Sequence, residues 1–472
     1  MKSIYFVGAG GIGMSALERY FKANGYKVGG YDKTPSPLTE ALIKEGIDIH
    51  FEDNIEAVDP AFKDPENCII CYTPAIPKEH GELCYFQQHG FQVMKRSKIL
   101  GIVTEQKRGL CVAGTHGKTT TSSMIAHILK QSHVDCNAFL GGILKPYESN
   151  LMLSGVDGQN ADSDLTVIEA DEFDRSFHTL RPFMSVITSC DPDHLDIYGT
   201  EEAYRESFAH YVSLIDPKKG SDAVPSMLLK HKGIKVDVSR LQPGVRYAEY
   251  SSTEEADYYA TNIRIGNGTI LFDFVARAEG VVMKDMEPGV PAPINVDNAV
   301  AALTICWLNG CTEEELRNGL KSFGGAKRRF DFYIKRDDLV VMDDYAHHPD
   351  EIKASLTSVK QLFAGRHVTV CFQPHLFSRT HDLVDGFAEA LAIPDRTILL
   401  PIYPAREQPI PGVTSQWLLD KISSTDKTLV EKDQLAGLLQ SLRAAGKLDV
   451  VVMMGAGVDI ERLVQPVTEA LI

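Results

Sequence analysis

Short apolar runs alternate with amphipathic stretches along most of this chain. Ile4–Val7, Lys27–Tyr31 and Cys68–Tyr72 have the length of β-strands, and each run ends at glycine, proline or a charged residue. Between the first two runs, apolar residues from Met14 to Phe21 recur at three- and four-residue spacing, which predicts a helix with one apolar face. This order of strand, helix and strand is typical of an α/β domain with a parallel sheet.

The alternation returns in a second block that begins near Leu110. A helix is predicted over Thr119–Lys130, and strands over Leu165–Ile168 and Met184–Thr188. From about 217 to 293 the alternation is lost. There, two strand-like runs flank the Gly-Asn-Gly turn at 266–268, which predicts an antiparallel hairpin added to the sheet. A helix over Asn298–Leu308 restores the pattern.

A third block follows Gly324-Gly325, which we interpret as a hinge. Its four strand-like runs are Leu339–Met342, His367–Phe372, Thr397–Pro401 and Asp449–Met454. At roughly 150 residues per domain, the 472 residues also suggest three domains. We therefore predict an α/β protein with domains at 1–107, 108–325 and 326–472.

Charge and composition exclude several classes of protein. The net charge is −16, which argues against nucleic-acid binding and against docking on anionic lipid. The uncharged run Ile4–Leu17 contains four glycines and is too short to span a membrane. The nine cysteines are odd in number and scattered, as buried thiols in a reducing compartment would be. We read Cys68 and Cys71 as strand residues, not as a metal pair, and expect a cytoplasmic protein without membrane insertion.

A glycine loop lies between the first strand and the first helix. Gly8-Ala-Gly10-Gly11-Ile12-Gly13 is a GxGxxG motif, and Asp32 follows about 20 residues later at the end of the second strand. Such glycines let the backbone approach a diphosphate at a helix N-terminus, while the acid can bind a ribose or base. The motif alone would indicate an NAD-dependent dehydrogenase, although it does not specify the nucleotide.

The strongest local signal is Gly114-Thr115-His116-Gly117-Lys118-Thr119-Thr120, which connects a strand to a helix. Backbone amides at the helix start can cradle phosphates, Lys118 can neutralise their charge, and the Thr119 hydroxyl can bind Mg²⁺. The loop is shorter at its start than GxxxxGK[ST], because Val112 stands where that motif has its first glycine. The motif predicts that the central domain binds ATP.

Acidic clusters follow two strands of the same block. Glu169 ends one strand, with Asp171, Glu172 and Asp174 behind it, and Asp193-His194 follows the next. Ligands bind beyond the carboxyl ends of strands in open α/β sheets. Thr119, Glu169 and His194 are therefore predicted to converge on the metal of a bound ATP, whereas the neighbouring acids are expected to be solvated loop charges.

Polar segments also follow three strands of the third block: Asp343–Pro349, Gln373–Thr380 and Tyr403–Arg406. Pro349 is well placed as the first residue of a helix. Cations are concentrated here against the acidic average, and are Lys327, Arg328, Arg329, Arg379 and Arg406. They suit phosphate or carboxylate binding, although each is about as readily a surface ion pair.

Taken together, these residues resemble the Mur ligases, the ATP-dependent amide-forming enzymes of peptidoglycan precursor synthesis. The matching runs are Gly8–Ser15, Gly114–Thr120, Glu169–Glu172, Asp193–Asp196, Lys327–Phe330, Asp343–Pro349, Phe372–Thr380 and Gly455–Gly457. They span nearly the whole chain in order. Within the family, the chain is most similar to the branch that adds L-alanine.

The resemblance implies a Rossmann-like N-terminal domain that binds the UDP of the substrate, not NAD. It implies a central P-loop ATPase-type domain, whose mainly parallel sheet carries the antiparallel addition, and a Rossmann-like C-terminal domain that binds the amino acid and closes over the site. The implied UDP-substrate residues are Gly10, Gly11, Ile12, Gly13, Ser15, Asp32, Thr73 and His178. The implied ATP residues are Gly114 to Thr120, Asn298, Arg329 and Asp344.

The implied reaction phosphorylates the lactyl carboxylate of UDP-N-acetylmuramate with ATP, and alanine attacks the acyl phosphate with release of ADP and phosphate. Lys118, Arg379 and two Mg²⁺ ions held by Thr119, Glu169 and His194 would neutralise charge. His347 or His348 would take the amine proton, and we favour His348 as the catalytic residue. The chain is expected to act as a monomer or homodimer.

Two positions depart from relatives. The family often has His-Asn before the adenine-side asparagine, whereas this chain reads Ile294-Asn295-Val-Asp-Asn298. In several members that add later amino acids, a lysine fourteen residues after the histidine forms a metal-binding carbamate. Fourteen residues after His194 this chain has Phe208, which cannot bind a hard cation.

Two other functions remain open at this stage. A ligase that returns salvaged murein tripeptide to the same nucleotide sugar would share the motifs of the first two domains. A dehydrogenase with a fused ATPase would share the glycine loop and the phosphate loop, but would require NAD. The Gln373–Thr380 run favours alanine addition.

Overall fold

The computed structural model describes residues 2–155, 163–192, 195–266, 268–405 and 407–472, the side chains of residues 195 and 196 excepted. Three β-sheets, each flanked by helices, follow one another along the chain. The three-domain α/β fold predicted from the sequence is therefore confirmed, whereas the exact domain boundaries stay a prediction.

The first sheet is parallel, with the strand order β3-β2-β1-β4-β5. Its strands are β1 Ser3–Val7, β2 Lys27–Tyr31, β3 Asp48–His50, β4 Cys68–Tyr72 and β5 Gln92–Lys95. Its helices are α1 Ile12–Ala23, α2 Pro37–Lys44, α3 Gly81–Gln88 and α4 Arg96–Thr104. Every residue of β1 is buried, which is why Ile4–Val7 is a continuous apolar run. Cys68 and Cys71 are free, buried residues of β4, as predicted.

The central sheet has the order β15-β14-β13-β12-β11-β10-β6-β9-β7-β8. Its strands are β6 Arg108–Ala113, β7 Asn137–Leu144, β8 Ser149–Met152, β9 Leu165–Glu169, β10 Pro182–Ile187, β11 Met227–His231, β12 Arg246–Ser251, β13 Tyr258–Gly266, β14 Thr269–Ala276 and β15 Val281–Met286. The helices are α5 Lys118–Lys130, α6 Leu195–Tyr198, α7 Glu201–Val212, α8 Ile294–Leu308 and α9 Glu313–Ser322. β6 lies between β9 and β10 with parallel pairing on both sides, so the phosphate loop leaves a central strand.

The predicted hairpin corresponds to β13 and β14, which are neighbours in the central sheet. Its turn residue 267 lies outside the described residues. At the opposite edge of this sheet, β7 pairs with β8 in antiparallel orientation.

The third sheet has the order β16-β17-β21-β18-β19-β20 and is parallel except for the edge pair β16 and β17. Its strands are β16 Asp331–Lys335, β17 Val340–Asp344, β18 Val368–Phe372, β19 Arg396–Leu399, β20 Lys427–Leu429 and β21 Val450–Met454. Its helices are α10 Pro349–Leu362, α11 Phe377–Asp382, α12 Val384–Ala390, α13 Ser415–Lys421, α14 Leu435–Ala444 and α15 Val458–Leu471. The predicted helix start at Pro349 is confirmed.

The chain forms two compact units. The first comprises Met1–Ala260, Phe274–Met283 and Asn298–Phe323, and the second comprises Thr261–Asp273, Lys284–Asp297 and Gly324–Ile472. Within the first unit, one apolar cluster joins residues of the first sheet, such as Phe6, to residues of the central sheet, such as Phe139. The third sheet has an apolar cluster of its own. None of the helices in the described part of the chain combines the length and apolarity that a bilayer crossing requires.

Candidate active site

The glycine loop between β1 and α1 is closely packed. Gly8 has a φ of +97°, and a Cβ atom there would lie 2.4 Å from Cγ2 of Thr73. The amide of Gly10 donates to Oδ2 of Asp32 at 2.7 Å, so Asp32 holds the loop itself. No side chain caps the N-terminus of α1 at Gly11, so its first amides are available to an anion.

A cavity of about 210 Å³ lies beside this loop. Its lining residues are Gly11, Ile12, Gly13, Met14, Ala16, Thr73, Arg96, Leu100, Phe139, Leu140, Gly141, Glu169 and Asp171. The cavity thus brings four predicted UDP-substrate residues together with the predicted metal ligand Glu169. Gly10, Ser15, Asp32 and His178, which were predicted for the same substrate, do not line it.

Ser15 and His178 have supporting contacts instead. Ser15 is fully buried, its Oγ donates to the carbonyl of Ile12, and it accepts from Nδ2 of Asn150 at 3.0 Å. Because Asn150 belongs to β8, the central sheet helps to hold the glycine loop. The His178 ring stacks on Phe177, and its Nε2 lies 3.0 Å from Oγ of Ser207.

Arg96 is a cavity residue that the sequence analysis missed. As the first residue of α4, it places Nη1 2.7 Å from where a Cβ of Gly13 would lie, so a side chain at that position would displace the guanidinium. Its Nη2 is 3.5 Å from Oδ2 of Asp171. The position of a basic residue directly after a short strand was the available sequence signal.

The phosphate loop turns through two glycines with positive φ, Gly114 at +136° and Gly117 at +80°. A Cβ atom would lie 2.2 Å from Oγ1 of Thr188 at the first position, and 2.9 Å from Oδ1 of Asn298 at the second. The N-terminus of α5 begins directly after Gly117 and has no side-chain cap. This tight cradle before an uncapped helix fits the phosphates of a nucleotide.

The other loop residues are mostly held by neighbours. Oγ1 of Thr115 donates to the carbonyl of Asp191 at 2.7 Å, and the amide of exposed His116 donates to Oγ of Ser189 at 2.7 Å. Thr120 is a half-buried residue of α5. Asn298 is buried beneath the loop, and its Oδ1 accepts from Oγ1 of Thr121 at 3.0 Å. The structure therefore brings the predicted ATP residues of this domain together.

Lys118 makes three polar contacts. Its Nζ donates to the carbonyls of Gly114 at 2.6 Å and Thr115 at 3.4 Å, and lies 2.8 Å from Oε2 of Glu172. Glu172 is only 1% exposed, although it was expected to be a solvated loop acid. Burial raises the pKa of Glu172, and Lys118 offsets part of that rise. Acidic clusters in loops are usually solvated, so no local sequence signal indicated this buried pair.

Thr119 and Glu169 meet at the end of β9. Oγ1 of Thr119 donates to Oε1 of Glu169 at 3.1 Å, and Oε2 of Glu169 accepts from the amide of Gly141 at 3.1 Å. A hydroxyl and a carboxylate are hard oxygen donors, the kind that Mg²⁺ requires. The third predicted ligand, His194, lies outside the described residues, as does Asp193. Within the described ranges, no group of three or more His, Cys, Asp or Glu forms a metal site.

In the second unit, Asp344 ends β17 and is buried. Its Oδ2 accepts from Oγ of Ser355 at 2.6 Å, and its Oδ1 accepts from the amide of Ala346 at 3.2 Å. The exposed Arg329 holds its guanidinium over the ring of Tyr345 at 5.5 Å. Arg328 differs from its neighbour, because its Nε donates to Oδ2 of buried Asp343 at 3.0 Å. Arg406 lies outside the described residues.

The two adjacent histidines have different environments. His348 is the N-cap of α10, where its Nδ1 accepts from the amide of Asp350. His347 is more enclosed, and its Nδ1 lies 3.0 Å from the carbonyl of Tyr345. That contact requires a proton on Nδ1, so in the neutral ring Nε2 carries the lone pair. Burial lowers the pKa of His347, and the cations Arg379 and Arg329 lower it further.

Arg379 lies on α11, with Nη1 3.4 Å from Nδ1 of His375. The His375 ring stacks on Tyr403, and burial together with Arg379 lowers its pKa to about 4. In this unit the structure thus brings the predicted residues Arg329, His347 and Arg379 close enough to influence one another electrostatically. His375 was not predicted as a site residue.

Three family models match the chain in order. They are described as Mur ligase family, catalytic domain, over residues 3–108; Mur ligase middle domain, over residues 112–306; and Mur ligase, glutamate ligase domain, over residues 328–457.

Curated relatives match over nearly the full length. A UDP-N-acetylmuramate–L-alanine ligase of Parabacteroides distasonis is 59% identical over 469 residues, covering 99% of this chain and 97% of that protein. A ligase of the same name from Porphyromonas gingivalis is 52% identical over 472 residues, covering 100% of this chain and 99% of that protein.

Solved structures show the same fold. The UDP-N-acetylmuramate–alanine ligase of Thermotoga maritima superposes with a TM-score of 0.80 at 24% identity, covering 99% of both chains. A murein peptide ligase of Psychrobacter arcticus gives a TM-score of 0.66 at 21% identity, covering 100% of this chain and 99% of that chain. At these identities the likeness concerns the fold alone.

Proposed function

This chain belongs to the Mur ligase family, and from that premise we propose that it joins L-alanine to the lactyl carboxylate of UDP-N-acetylmuramate, converting ATP to ADP and phosphate. The names of its full-length relatives support this reaction. The observation that carries it is the cavity shared by the glycine loop and Glu169, because Glu169 also accepts from Thr119 of the phosphate loop.

The nucleotide sugar fits the glycine-loop end of the cavity. The uncapped amides of α1 and the guanidinium of Arg96 are positive groups that suit its diphosphate. Its lactyl carboxylate would then extend toward Glu169. We base this placement on the presence of the glycine loop and Glu169 in the lining of one cavity. In this proposal the GxGxxG motif binds UDP.

ATP fits the phosphate loop, where Gly114 and Gly117 leave no room for a side chain and α5 begins uncapped. Mg²⁺ bound at Thr119 and Glu169 would supply charge neutralisation for the phosphates. Lys118 adds a cation at the same place. Because the two reacting groups are both anions, catalysis here consists mainly of positioning and electrostatic stabilisation.

The second unit supplies candidates for the amino-acid half of the reaction. Alanine must lose a proton before its amine attacks the acyl phosphate. His347 suits this task better than His348, because its Nε2 carries the lone pair whereas His348 caps a helix. Arg379 and Arg329 are the nearby cations for a carboxylate or phosphate. We further propose that the enzyme acts in the cytoplasm, as a monomer or homodimer.

The decisive experiment measures amino-acid-dependent phosphate release with UDP-N-acetylmuramate and ATP. L-alanine should support turnover, whereas L-alanyl-γ-D-glutamyl-diaminopimelate and other amino acids should support far less. Turnover with the tripeptide in preference to alanine would make the chain a recycling ligase. Binding of NAD, seen as nicotinamide fluorescence on titration with NADH, would point to a dehydrogenase.

The spent nucleotide tests the chemical route. An acyl phosphate yields ADP and phosphate, whereas an acyl adenylate yields AMP and pyrophosphate. Because the phosphate loop precedes a helix that orients the β/γ end of ATP, we expect ADP. Chromatography that shows AMP as the main product would contradict the proposed mechanism.

A further inference from the structure

The ion pair of Lys118 and Glu172 is enclosed by the protein. The side chain of Glu172 is 2% exposed and that of Lys118 is 14% exposed. Both carboxylate oxygens lie near the ammonium, at 3.0 Å and 2.8 Å. A buried carboxylate this close to a cation is strongly coupled to it, and the arrangement is sensitive to loss of either partner.

The backbone around Glu172 is held from both sides. The amide of Phe177 donates to the carbonyl of Asp171 at 2.8 Å, and the hydroxyl of Tyr198 donates to the carbonyl of Glu172. Asp174 and Arg175 adopt positive φ values of 49° and 55°, which non-glycine residues rarely do. The two hydrogen bonds hold the backbone of the segment that carries the buried Glu172 side chain.

The ammonium of Lys118 has three protons, and three acceptors receive them: the carbonyls of Gly114 and Thr115 and the carboxylate of Glu172. The contact with Thr115, at 3.4 Å, is the longest, so it is the one most readily exchanged for a phosphate oxygen. The contacts with Gly114 and Glu172 then remain as two fixed points for the ammonium.

We propose that Glu172 is a positioning residue that acts through Lys118, fixing the ammonium where the transferred phosphoryl group passes. A lysine side chain has four flexible carbons and a point charge, so its location depends on its anchors. A buried carboxylate provides such an anchor, whereas a neutral amide holds an ammonium less firmly. This inference rests on the proposed function, because it assigns Lys118 to phosphoryl transfer.

The test is a double-mutant cycle with Lys118→Ala and Glu172→Gln in the full-length enzyme. Glu172→Gln should lower kcat about tenfold or more, as a displaced catalytic group does, while KM for the nucleotide sugar stays within about twofold. In the Lys118→Ala background, the same substitution should change kcat by less than about twofold, because the residue through which it acts is gone. Equal losses in both backgrounds would overturn the proposal, as would an unchanged kcat for Glu172→Gln.

Glu172→Asp keeps the charge, so its kcat should be higher than that of Glu172→Gln. If the glutamine variant does not fold, Glu172→Asp replaces it in the double-mutant cycle. A kcat for Glu172→Asp no better than for Glu172→Gln would also contradict an anchoring carboxylate. Asp174→Asn is the matched control, because Asp174 lies in the same loop and pairs with exposed Lys95. Its kcat should equal that of the wild type.

Failure of this inference can be distinguished from failure of the proposed function. The cycle is measured as ATP turnover with whichever amino acid supports it in the wild-type enzyme. Wild-type turnover without alanine specificity would reject the proposed function. The double-mutant cycle would still test the role of Glu172, because it compares ATP turnover among variants with the amino acid that the wild-type enzyme accepts. Alanine-dependent turnover with additive losses would reject only the role of Glu172.

Discussion

At the scale of single residues, we propose that Lys118 combines a catalytic role with the structural one of pairing with Glu172. Its removal leaves Glu172 buried without a cation. We predict that Lys118→Ala lowers phosphate release at least about a hundredfold and also lowers the free energy of unfolding by about 3 kcal/mol. Phosphate release and urea unfolding measure the two effects.

The double variant Lys118→Ala with Glu172→Gln is the control for stability. It should recover most of the lost free energy of unfolding without recovering turnover, because the unpaired charge is gone. If Lys118→Ala alone has the same free energy of unfolding as the wild type, then Glu172 without Lys118 takes up a proton readily or finds another partner.

The adjacent histidines give a second prediction at this scale. His348→Asn keeps a side chain that caps a helix well, so its turnover should stay within about threefold of the wild type. His347→Asn removes the proposed base and should lower kcat about a hundredfold or more. Steady-state kinetics on both variants decide between the two. A larger loss for His348→Asn would return the catalytic role to that residue.

The pH profile has a defined sign. A base must be neutral, and the pKa of His347 lies below the ordinary value for histidine because of its burial. Turnover should therefore be retained as the pH falls through about 6.5, the ordinary value, and be lost only below it. A fall centred at or above the ordinary value would contradict His347 as the base.

At the scale of elements, strands buried on both faces were the most predictable. Lys27–Tyr31 and Cys68–Tyr72 have the same bounds in the structure as in the prediction. Their interiors are largely buried, so their sequences are dominated by apolar residues and glycine. The helix start at Pro349 was also predictable, because proline favours the first helical position.

Two of the strands that were not predicted lie where polar residues occupy strand positions. Asp331–Lys335 and Arg246–Ser251 contain charged residues, and no simple apolar run marks them. In the candidate active site, too, only residues with a local sequence signature were predictable. Loop glycines carry a local signature, but the burial of Glu172 depends on the distant Lys118, and a single sequence does not encode that proximity in its local pattern.

The start of α5 offers a test that separates backbone strain from crowding. Gly117 and Gly25 have nearly equal φ values of +80° and +79°, but only at Gly117 would a Cβ atom meet a neighbour, Oδ1 of Asn298 at 2.9 Å. Gly117→Ala should therefore lower the free energy of unfolding by about 1 kcal/mol more than Gly25→Ala. Only Gly117→Ala should impair ATP turnover. Equal effects of both substitutions would show that the cradle tolerates a side chain.

Helix α7 carries the next prediction. Phe208 is fully buried, 5.2 Å from the ring of Phe177 and 5.2 Å from that of Tyr204. The family resemblance implies that this is the position of the carbamate-forming lysine in members that add later amino acids, and an apolar ring binds no hard cation. Activity should therefore be the same in buffer depleted of CO₂ and in buffer with added bicarbonate. A clear increase with bicarbonate would mean that another lysine supplies a carbamate.

At the scale of the whole molecule, the sharing of apolar cores predicts how the enzyme unfolds. The first two sheets contribute to one cluster, which the first sheet supplements with a second cluster that includes Tyr5 and Ile70. The third sheet has a cluster that shares no residue with these two. Calorimetry should therefore resolve two transitions, not three, because residues of one core unfold together. ATP should raise the midpoint of the transition of the first unit, which contains the phosphate loop. Three separate transitions would contradict a shared core.

The cavity between the glycine loop and Glu169 has a consequence for inhibitor design. The cavity has a volume of about 210 Å³. One of its walls carries groups that suit a sugar nucleotide, and another carries the carboxylate of Glu169, which accepts from Thr119 of the phosphate loop. A molecule that joined mimics of both ligands through a short linker across this space would bind its second half at a high effective concentration. If both ligands bind as proposed, such a bivalent inhibitor would gain avidity from their proximity, without requiring a new contact.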